Sequence, residues 1–377
     1  MNTIKRESRT KCAISFMLVI MMFMQIGNID VLHAFATAPV VNTDANSTAV
    51  NNNNVSSDAS ADANATATPS TYTGYQAISG INEVDVSGER TQVGEYYYWI
   101  KSSNKSFKVF RSKKSKGSGS VIFKHSNKLI HTKVMGEMKV AKYAYTAIYT
   151  DGVSLVFGEF DRSKKSLTFI KRNIKKKSSK KITTIKSSYF SSYSGLGCCT
   201  LEAVYKNKCY ITKQREKGSK FDSYVINLNN GKKQKINKKI SWGVFDGRYI
   251  YLTNTKKATA FDCKTQKVLT VGSINEKKGV AFLKGEDGVY MVTDDDSKHR
   301  TYVVRMSGNQ KIDDTIDLAY TGSYFENEVD KITKQYIYYQ VYKVYTSKTS
   351  YKRYDRASKK STSVKKKLYM KTVGEKE

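Results

Sequence analysis

The chain has 377 residues and a formal net charge of +32, with 65 Lys and Arg against 33 Asp and Glu. This charge excludes an acidic or neutral protein, and a content of only two prolines excludes a proline-rich or collagen-like one. The length suits one large or two ordinary domains, and 39% apolar residues is enough for a buried core.

The N-terminus has the pattern of a secretory signal peptide. Basic residues between Met1 and Lys11 precede an apolar run at 12–24, and small residues follow at Ala34 and Ala36. The run is shorter than the ~20 residues that span a bilayer, which favours cleavage near Ala36 over a retained membrane anchor. We therefore expect residues 1–36 to be a signal peptide. The mature protein is expected to be secreted and extracellular, either free or retained non-covalently at the cell wall.

A low-complexity segment follows the signal peptide. Residues 37–72 are rich in Asn, Ala, Ser and Thr, contain both prolines and have no Lys or Arg. Such a composition cannot bury enough apolar surface to offset the entropy of ordering, which predicts a disordered spacer. The folded domain is then expected at 73–372, with a short tail at 373–377.

From residue 73 onward the chain consists of short strand-like runs separated by turns. Residues 240–271 hold four β-branched or aromatic runs, which predict an antiparallel four-stranded meander. Similar units recur along the chain, with equivalent second-strand positions at Tyr97, Leu155, Tyr210, Ile250, Tyr290 and Tyr338. A four-stranded unit that recurs every 40 to 58 residues is typical of a β-propeller.

We therefore predict an all-β fold, a β-propeller of six blades. The wide first two spacings leave room for a long loop at 128–139 or for a seventh blade. One or two β-sandwiches would explain the short strands but not the repeat. The only candidate helix is a weak one at 136–149.

The repeat also resembles a known class. The segments Tyr96–Trp99, Phe107–Arg111 and Lys116–Gly119 resemble lipoprotein-receptor-type and TolB-like propeller repeats of secreted clostridial-type proteins, over about residues 75–370. The resemblance implies a six-bladed binding or scaffold module. Because the chain lacks the Tyr-Trp-Thr-Asp strand of the receptor type, no functional residue is carried over.

Residues with reactive side chains form no catalytic or metal-binding pattern in the sequence. His125, His131 and His299 lie outside any nucleophile motif and are interpreted as surface or turn residues. The acidic run at 294–296 lacks the spacing of a calcium loop and is interpreted as a hairpin tip. We therefore predict no catalytic residue, no metal and no cofactor.

Four cysteines follow the signal peptide: Cys198, Cys199, Cys209 and Cys263. An even number in an exported protein indicates disulfides, and three pairings are open. If 206–208 turn a hairpin, Cys198 and Cys199 lie too far from Cys209 for a bond within it. This leaves Cys209 and Cys263 as a candidate pair.

The lysines are the candidate binding residues. Lys outnumbers Arg 53 to 12, which disfavours sequence-specific reading of nucleic acid, because Arg supplies the bidentate contacts that reading needs. Ten lysines are predicted to occupy the turn between the third and fourth strands of a unit: Lys113, Lys114, Lys164, Lys165, Lys232, Lys233, Lys264, Lys267, Lys359 and Lys360. The alternative is a compositional lysine bias on a solvated surface.

These features predict an exported, non-enzymatic binding or scaffold module at the cell envelope. Its partner would be an anionic polymer, such as wall teichoic acid or an acidic polysaccharide, or a protein. The alternative is an extracellular hydrolase or lyase that acts on an acidic polysaccharide. That activity would require clustered carboxylates, or a carboxylate with His or Tyr, at one mouth of the propeller axis.

Overall fold

The structure is a computed structural model. It describes residues 74–79, 90–103, 105–132, 138–187, 190, 198–215, 220–254, 256–275, 278–295, 298, 300–319, 325–343 and 348–374. The predicted signal peptide and spacer lie outside these residues, as do His299 and Asp296. Within the described part of the chain, no helix has the length and apolar character needed to cross a bilayer.

The N-terminal strand belongs to blade 2, and a separate two-stranded hairpin lies between blades 1 and 2 in the sequence. Strand β1 (Gln76–Ser79) pairs with the inner edge of blade 2. Blade 1 consists of β2 (Thr91–Val93), β3 (Tyr96–Ser103), β4 (Ser106–Ser112) and β5 (Ser120–Ser126). The hairpin is β6 (Leu129–Thr132) and β7 (Met138–Ala141). Blade 2 consists of β8 (Tyr143–Tyr145), β9 (Ile148–Thr150), β10 (Ser154–Asp161), β11 (Ser166–Asn173) and β12 (Ser179–Lys186), with β8 and β9 together forming its first strand.

The remaining four blades follow in chain order. Blade 3 consists of β13 (Cys199–Tyr205), β14 (Lys208–Gln214), β15 (Phe221–Asn227) and β16 (Lys233–Ile236). Blade 4 consists of β17 (Val244–Phe245), β18 (Tyr249–Thr253), β19 (Lys257–Asp262) and β20 (Lys267–Ser273). Blade 5 consists of β21 (Lys278–Gly285), β22 (Gly288–Asp295), β23 (Arg300–Ser307), β24 (Gln310–Lys311) and β25 (Ile316–Ala319), the last two sharing the outer edge. Blade 6 consists of β26 (Phe325–Ile332), β27 (Tyr336–Lys343), β28 (Lys348–Asp355) and β29 (Lys360–Ser363).

The six sheets form a β-propeller of antiparallel blades. Within each blade the strands pair in chain order, and the first strands of blades 3 to 6 contact one another in series. First strands that meet in this way lie nearest the axis, and fourth strands lie at the rim. The prediction of six blades is confirmed, and the β6–β7 hairpin accounts for the wide spacing at 128–139.

One position recurs at the interfaces between blades. The third residue of each second strand points forward, to the next element in the chain: Tyr98, Val156, Tyr210, Tyr251, Tyr290 and Tyr338. The predicted equivalents Tyr97, Leu155 and Ile250 are each one residue too early. Adjacent strand residues point to opposite faces, so Ile250 packs back toward blade 3 and Leu155 toward blade 1. In each of these pairs of adjacent residues both side chains are apolar or aromatic. The sequence alone therefore does not show which of the two points to the next blade.

A helix that the sequence did not predict covers blade 6. Helix α1 (Lys366–Val373) places Tyr369, which is fully buried, against Tyr338 and Tyr351 at ring distances of 6.1 and 4.9 Å. The Tyr369 hydroxyl donates to the Asp330 carboxylate. Tyr338 points away from blade 6 in the direction in which the equivalent residue of another blade contacts the next blade. Helix α1 therefore occupies, beside blade 6, the position that the next blade occupies elsewhere. The predicted helix at 136–149 is wrong, because those residues that are described form β7, β8 and β9.

Candidate functional site

Two ends of the propeller are defined by its turns. Successive strands run in opposite directions, so the turn between strands one and two lies at the same end as the turn between strands three and four. We call this end face 1, and we call its rim turns, between strands three and four, the outer turns. The other end, with the turns between strands two and three and the connections between blades, is face 2.

The outer turns of blades 4 and 6 share a local structure. In blade 4 the Asp262 carboxylate accepts a hydrogen bond from the N–H of Lys264 at 2.8 Å, and in blade 6 Asp355 accepts from the N–H of Ala357 at 2.9 Å. The turn then ends on a residue in the left-handed region, Gln266 or Lys359. The carboxylate thereby satisfies turn N–H groups that would otherwise lack partners.

Most of the predicted lysines lie at these turns. The following are in an outer turn or begin the strand after it, and all are exposed: Lys113, Lys114, Lys232, Lys233, Lys264, Lys267, Lys359 and Lys360. Between the third and fourth strands the described outer turns contain no Asp or Glu. Asp262 and Asp355, which immediately precede two of these turns, bond the turn N–H groups, and Asp262 also pairs with Arg248. Among these lysines, Lys113 forms an ion pair with Glu95 at 3.5 Å, and both side chains are mostly exposed. The outer turns therefore present cations with little internal neutralisation.

The prediction that Lys164 and Lys165 lie between the third and fourth strands of a blade is wrong. They lie between β10 and β11, which is a face 2 turn, and the outer turn of blade 2 is instead 174–178 with Lys175, Lys176 and Lys177. Asp161 accepts from the N–H of Lys164 at 3.1 Å, and Lys165 has a φ of 49°, as in the outer turns. Because the chain uses one turn motif at both ends of a blade, the local sequence does not specify the face.

Several acidic residues of face 1 lie in the turns between strands one and two. Asp246 accepts hydrogen bonds from the N–H groups of Arg248 and Tyr249 at 2.8 and 2.7 Å, and from the Tyr251 hydroxyl at 2.8 Å. Asp151 accepts from the N–H of Ser154 at 2.6 Å. These carboxylates are committed to holding their own turns.

A charged cluster joins blades 5 and 6 on face 1. The Asp287 carboxylate lies 3.5 Å from Arg305 and 3.0 Å from Arg356, and it accepts from the Tyr290 hydroxyl at 2.7 Å. Asp313 lies 2.8 Å from Arg305. The cluster neutralises itself and clamps the two blades together.

A His–Tyr–Glu cluster lies between blades 1 and 2, toward face 2. Nδ1 of His125 is 2.5 Å from the Tyr145 hydroxyl oxygen and 2.9 Å from Oε2 of Glu159. Burial, together with the Glu159 charge, raises the pKa of Tyr145 far above its ordinary value, so the hydroxyl stays protonated. The sequence predicted a surface histidine, but His125 is only partly exposed. Its partners are 20 and 34 residues away along the chain, so no local motif marks the cluster.

A buried carboxylate lies on the first strand of blade 3. Oε1 of Glu202 accepts from the hydroxyls of Thr200 and Thr212 at 2.5 and 2.6 Å, and Oε2 accepts from the N–H of Trp242 at 3.0 Å. Burial raises the pKa of Glu202, and the hydrogen bonds it accepts, including one from the N–H of Gly243, oppose that rise. No local sequence motif marks Glu202.

The cysteines and the acidic run show no reactive arrangement in the described residues. Cys199, Cys209 and Cys263 are buried thiols outside any disulfide, so the predicted Cys209–Cys263 bond is not formed. Tyr210 contacts blade 4, and its neighbour Cys209 therefore points to the opposite face of the sheet. Asp294 accepts from the Thr301 hydroxyl at 2.7 Å. Among the described side chains, no group of three metal-binding residues was found.

Comparisons with known proteins give only distant likenesses. No family model and no curated relative match the chain. An uncharacterised protein from Listeria monocytogenes EGD-e is 10% identical, with a TM-score of 0.44 over 78% of this chain and 83% of that one. Dipeptidyl peptidase 4 from Porphyromonas gingivalis is 9% identical, with a TM-score of 0.40 over 78% and 54%. The β-propeller domain of the trilobed protease from Pyrococcus furiosus is 14% identical, with a TM-score of 0.30 over 75% and 94%. None of these likenesses assigns an activity.

Proposed function

We propose that the protein is an exported, non-enzymatic binding module that holds an anionic polymer on face 1. The observation that supports this is the set of outer turns, which present exposed lysines, while the flanking Asp262 and Asp355 carboxylates bond turn N–H groups. Each exposed contact contributes about 1 kcal/mol or less, so retention depends on several turns acting together. Wall teichoic acid and acidic polysaccharide are the polymers that suit an exported protein, and an acidic protein surface is the other partner class. The resemblance to lipoprotein-receptor-type and TolB-like repeats is part of this proposal.

The test separates a binding face from net charge. The face 1 variant replaces six exposed lysines with Gln: Lys113, Lys114, Lys176, Lys232, Lys264 and Lys359. The matched face 2 variant replaces six others: Lys105, Lys164, Lys165, Lys256, Lys298 and Lys348. Both lose the same charge, and retention of each on immobilised polyphosphate is measured at two salt concentrations.

We expect the face 1 variant to elute at clearly lower salt than the face 2 variant, with a smaller dependence of retention on salt because fewer counterions are released. Equal loss in the two variants would show that net charge rather than a face determines binding. No retention of the unsubstituted protein at low salt would refute polyanion binding altogether.

A second candidate function is hydrolysis or elimination on an acidic polysaccharide. It is favoured by His125, Tyr145 and Glu159, which bring an imidazole, a protonated hydroxyl and a carboxyl group within hydrogen-bonding distance. Polysaccharide cleavage that is lost in both Glu159→Gln and His125→Ala, with folding unchanged, would support this function over the first.

A further inference from the structure

Trp242 is both exposed and conformationally strained. It lies in the connection between blades 3 and 4, is 59% exposed and has a φ of 58°. The left-handed region is unfavourable for a bulky residue, and backbone strain of this kind persists where the surrounding structure enforces it, often at ligand sites. Core packing does not explain a solvent-exposed indole on a strained backbone.

Hydrogen bonds to Glu202 stabilise the backbone conformation of Trp242. Its buried carboxylate accepts from the Trp242 N–H at 3.0 Å and from the N–H of Gly243. Gly243 is required here because a Cβ would lie 2.2 Å from the Ile250 side chain. The hydroxyls of two threonines fix the other carboxylate oxygen. Glu202 thus sets the direction in which the indole leaves the surface.

The indole is braced on one side, and exposed lysines lie close to it and to its bracing residue in the sequence. Its ring packs edge-on against Phe221 at 5.3 Å, which leaves most of its surface to solvent. Lys220 precedes Phe221, and Lys238 and Lys239 precede Trp242 by four and three residues; all three are exposed. The nearby Asp222 is neutralised by Arg215 at 2.9 Å and Lys235 at 3.1 Å.

We propose that Trp242, braced by Phe221 and positioned by Glu202, is a platform on which a pyranose ring of an acidic polysaccharide stacks, with the neighbouring lysines binding its carboxylates. The C–H groups of a sugar ring carry partial positive charge and suit the negative face of an indole. Trp242 lies in a connection between blades and so on face 2, which makes the platform a second site beyond the polyanion face proposed above. Its ligand is an acidic polysaccharide rather than a teichoic acid, whose backbone lacks pyranose rings.

The test uses tryptophan fluorescence of the purified protein. The chain has two tryptophans, and the other, Trp99, is 3% exposed beneath the Arg90 guanidinium. Alginate hexasaccharide, an oligomer of uronic acid pyranoses, should change the emission saturably, whereas linear polyphosphate should bind without this change. We expect Trp242→Ala to weaken alginate binding about tenfold and Trp242→Phe to weaken it less, with polyphosphate binding unchanged in both.

Further variants separate platform, support and charge. Glu202→Gln keeps every hydrogen bond, because its amide can donate to the threonine hydroxyls while its oxygen accepts from the backbone, so alginate binding should persist. Glu202→Ala should lose binding as Trp242→Ala does, and Leu368→Ala, another exposed apolar site, should change nothing. Alginate binding by Trp242→Ala equal to that of the unsubstituted protein would refute the platform, as would an emission change with single-stranded oligonucleotide or anionic vesicles but not alginate. The proposed function fails separately if polyphosphate does not bind.

Discussion

The Tyr210 hydroxyl in blade 3 donates to the backbone carbonyl of Cys263 in the outer turn of blade 4, at 2.7 Å. The next blade repeats the relationship with the opposite polarity, since the Tyr251 hydroxyl accepts from the N–H of Gly308 in the outer turn of blade 5 at 2.8 Å. Tyr210 and Tyr251 therefore tie the second strand of one blade to the rim of the next. Of the turns proposed to bind polyanions, the outer turn of blade 4 is held in place by such a contact.

Replacing Tyr251 with Phe should destabilise the fold measurably. The hydroxyl is lost to both Gly308 and Asp246, which leaves a buried N–H without its partner, and we expect a cost of about 1–3 kcal/mol. The matched control is Tyr339→Phe, whose hydroxyl bonds only the exposed Ser361 at 2.9 Å. Urea unfolding followed by fluorescence or circular dichroism measures both, and equal midpoints would contradict the role of Tyr251.

Tyr369 should dominate the stability of the C-terminal helix. It is fully buried against blade 6, so Tyr369→Ala should cost about 3–5 kcal/mol, in the range of buried aromatic truncations. Leu368→Ala changes the adjacent residue, which is 55% exposed, and should cost almost nothing. Limited proteolysis should release the C-terminus of the first variant faster than that of the second. Similar cleavage of both would show that α1 does not cap blade 6.

The number of blades was predictable because its signals are local. Turns such as 246–247 and short apolar runs lie within a few residues of one another and recur along the chain. The strand register was not, since Ile250 and Tyr251 are both suited to burial and only packing against a neighbouring blade decides which faces forward. For the same reason, the sequence could not predict sites whose residues meet only where two blades pack together. Glu202 and Trp242 are 40 residues apart and meet only because two blades pack together.

The cysteines should be unreactive in the folded protein. Burial raises the pKa of Cys199 to about 12 and raises that of Cys209 and Cys263 further, so almost no thiolate exists at pH 8. We expect Ellman's reagent to react only after urea unfolding. Fewer thiols titrated in unfolded, unreduced protein than after reduction would reveal a disulfide and contradict the free state. Rapid reaction before unfolding would contradict the burial.

The pH dependence of stability should separate two carboxylates. Burial alone would raise the pKa of Asp262, but hydrogen bonds from Arg248, from the Lys264 N–H and from Thr265 lower it below 3.8 overall. The ionised form therefore stabilises the fold above pH 3.8, and this contribution is lost as the pH falls below that value. Glu202 has the opposite sign: burial raises its pKa above 4.5, so stability falls as the pH rises from 4.5 through the folded pKa.

Urea unfolding at a series of pH values from about 2.5 to 7 tests both signs in one experiment. Asp262→Asn should be less stable than the unsubstituted protein at pH 7, and the difference should shrink as the pH falls below 3.8. Glu202→Gln should match the unsubstituted protein near pH 4, where Glu202 is protonated, and gain on it toward neutral pH, because Gln avoids a buried charge. Curves for either variant that run parallel to that of the unsubstituted protein would show that the carboxylate in question has the same pKa in the folded and unfolded chain.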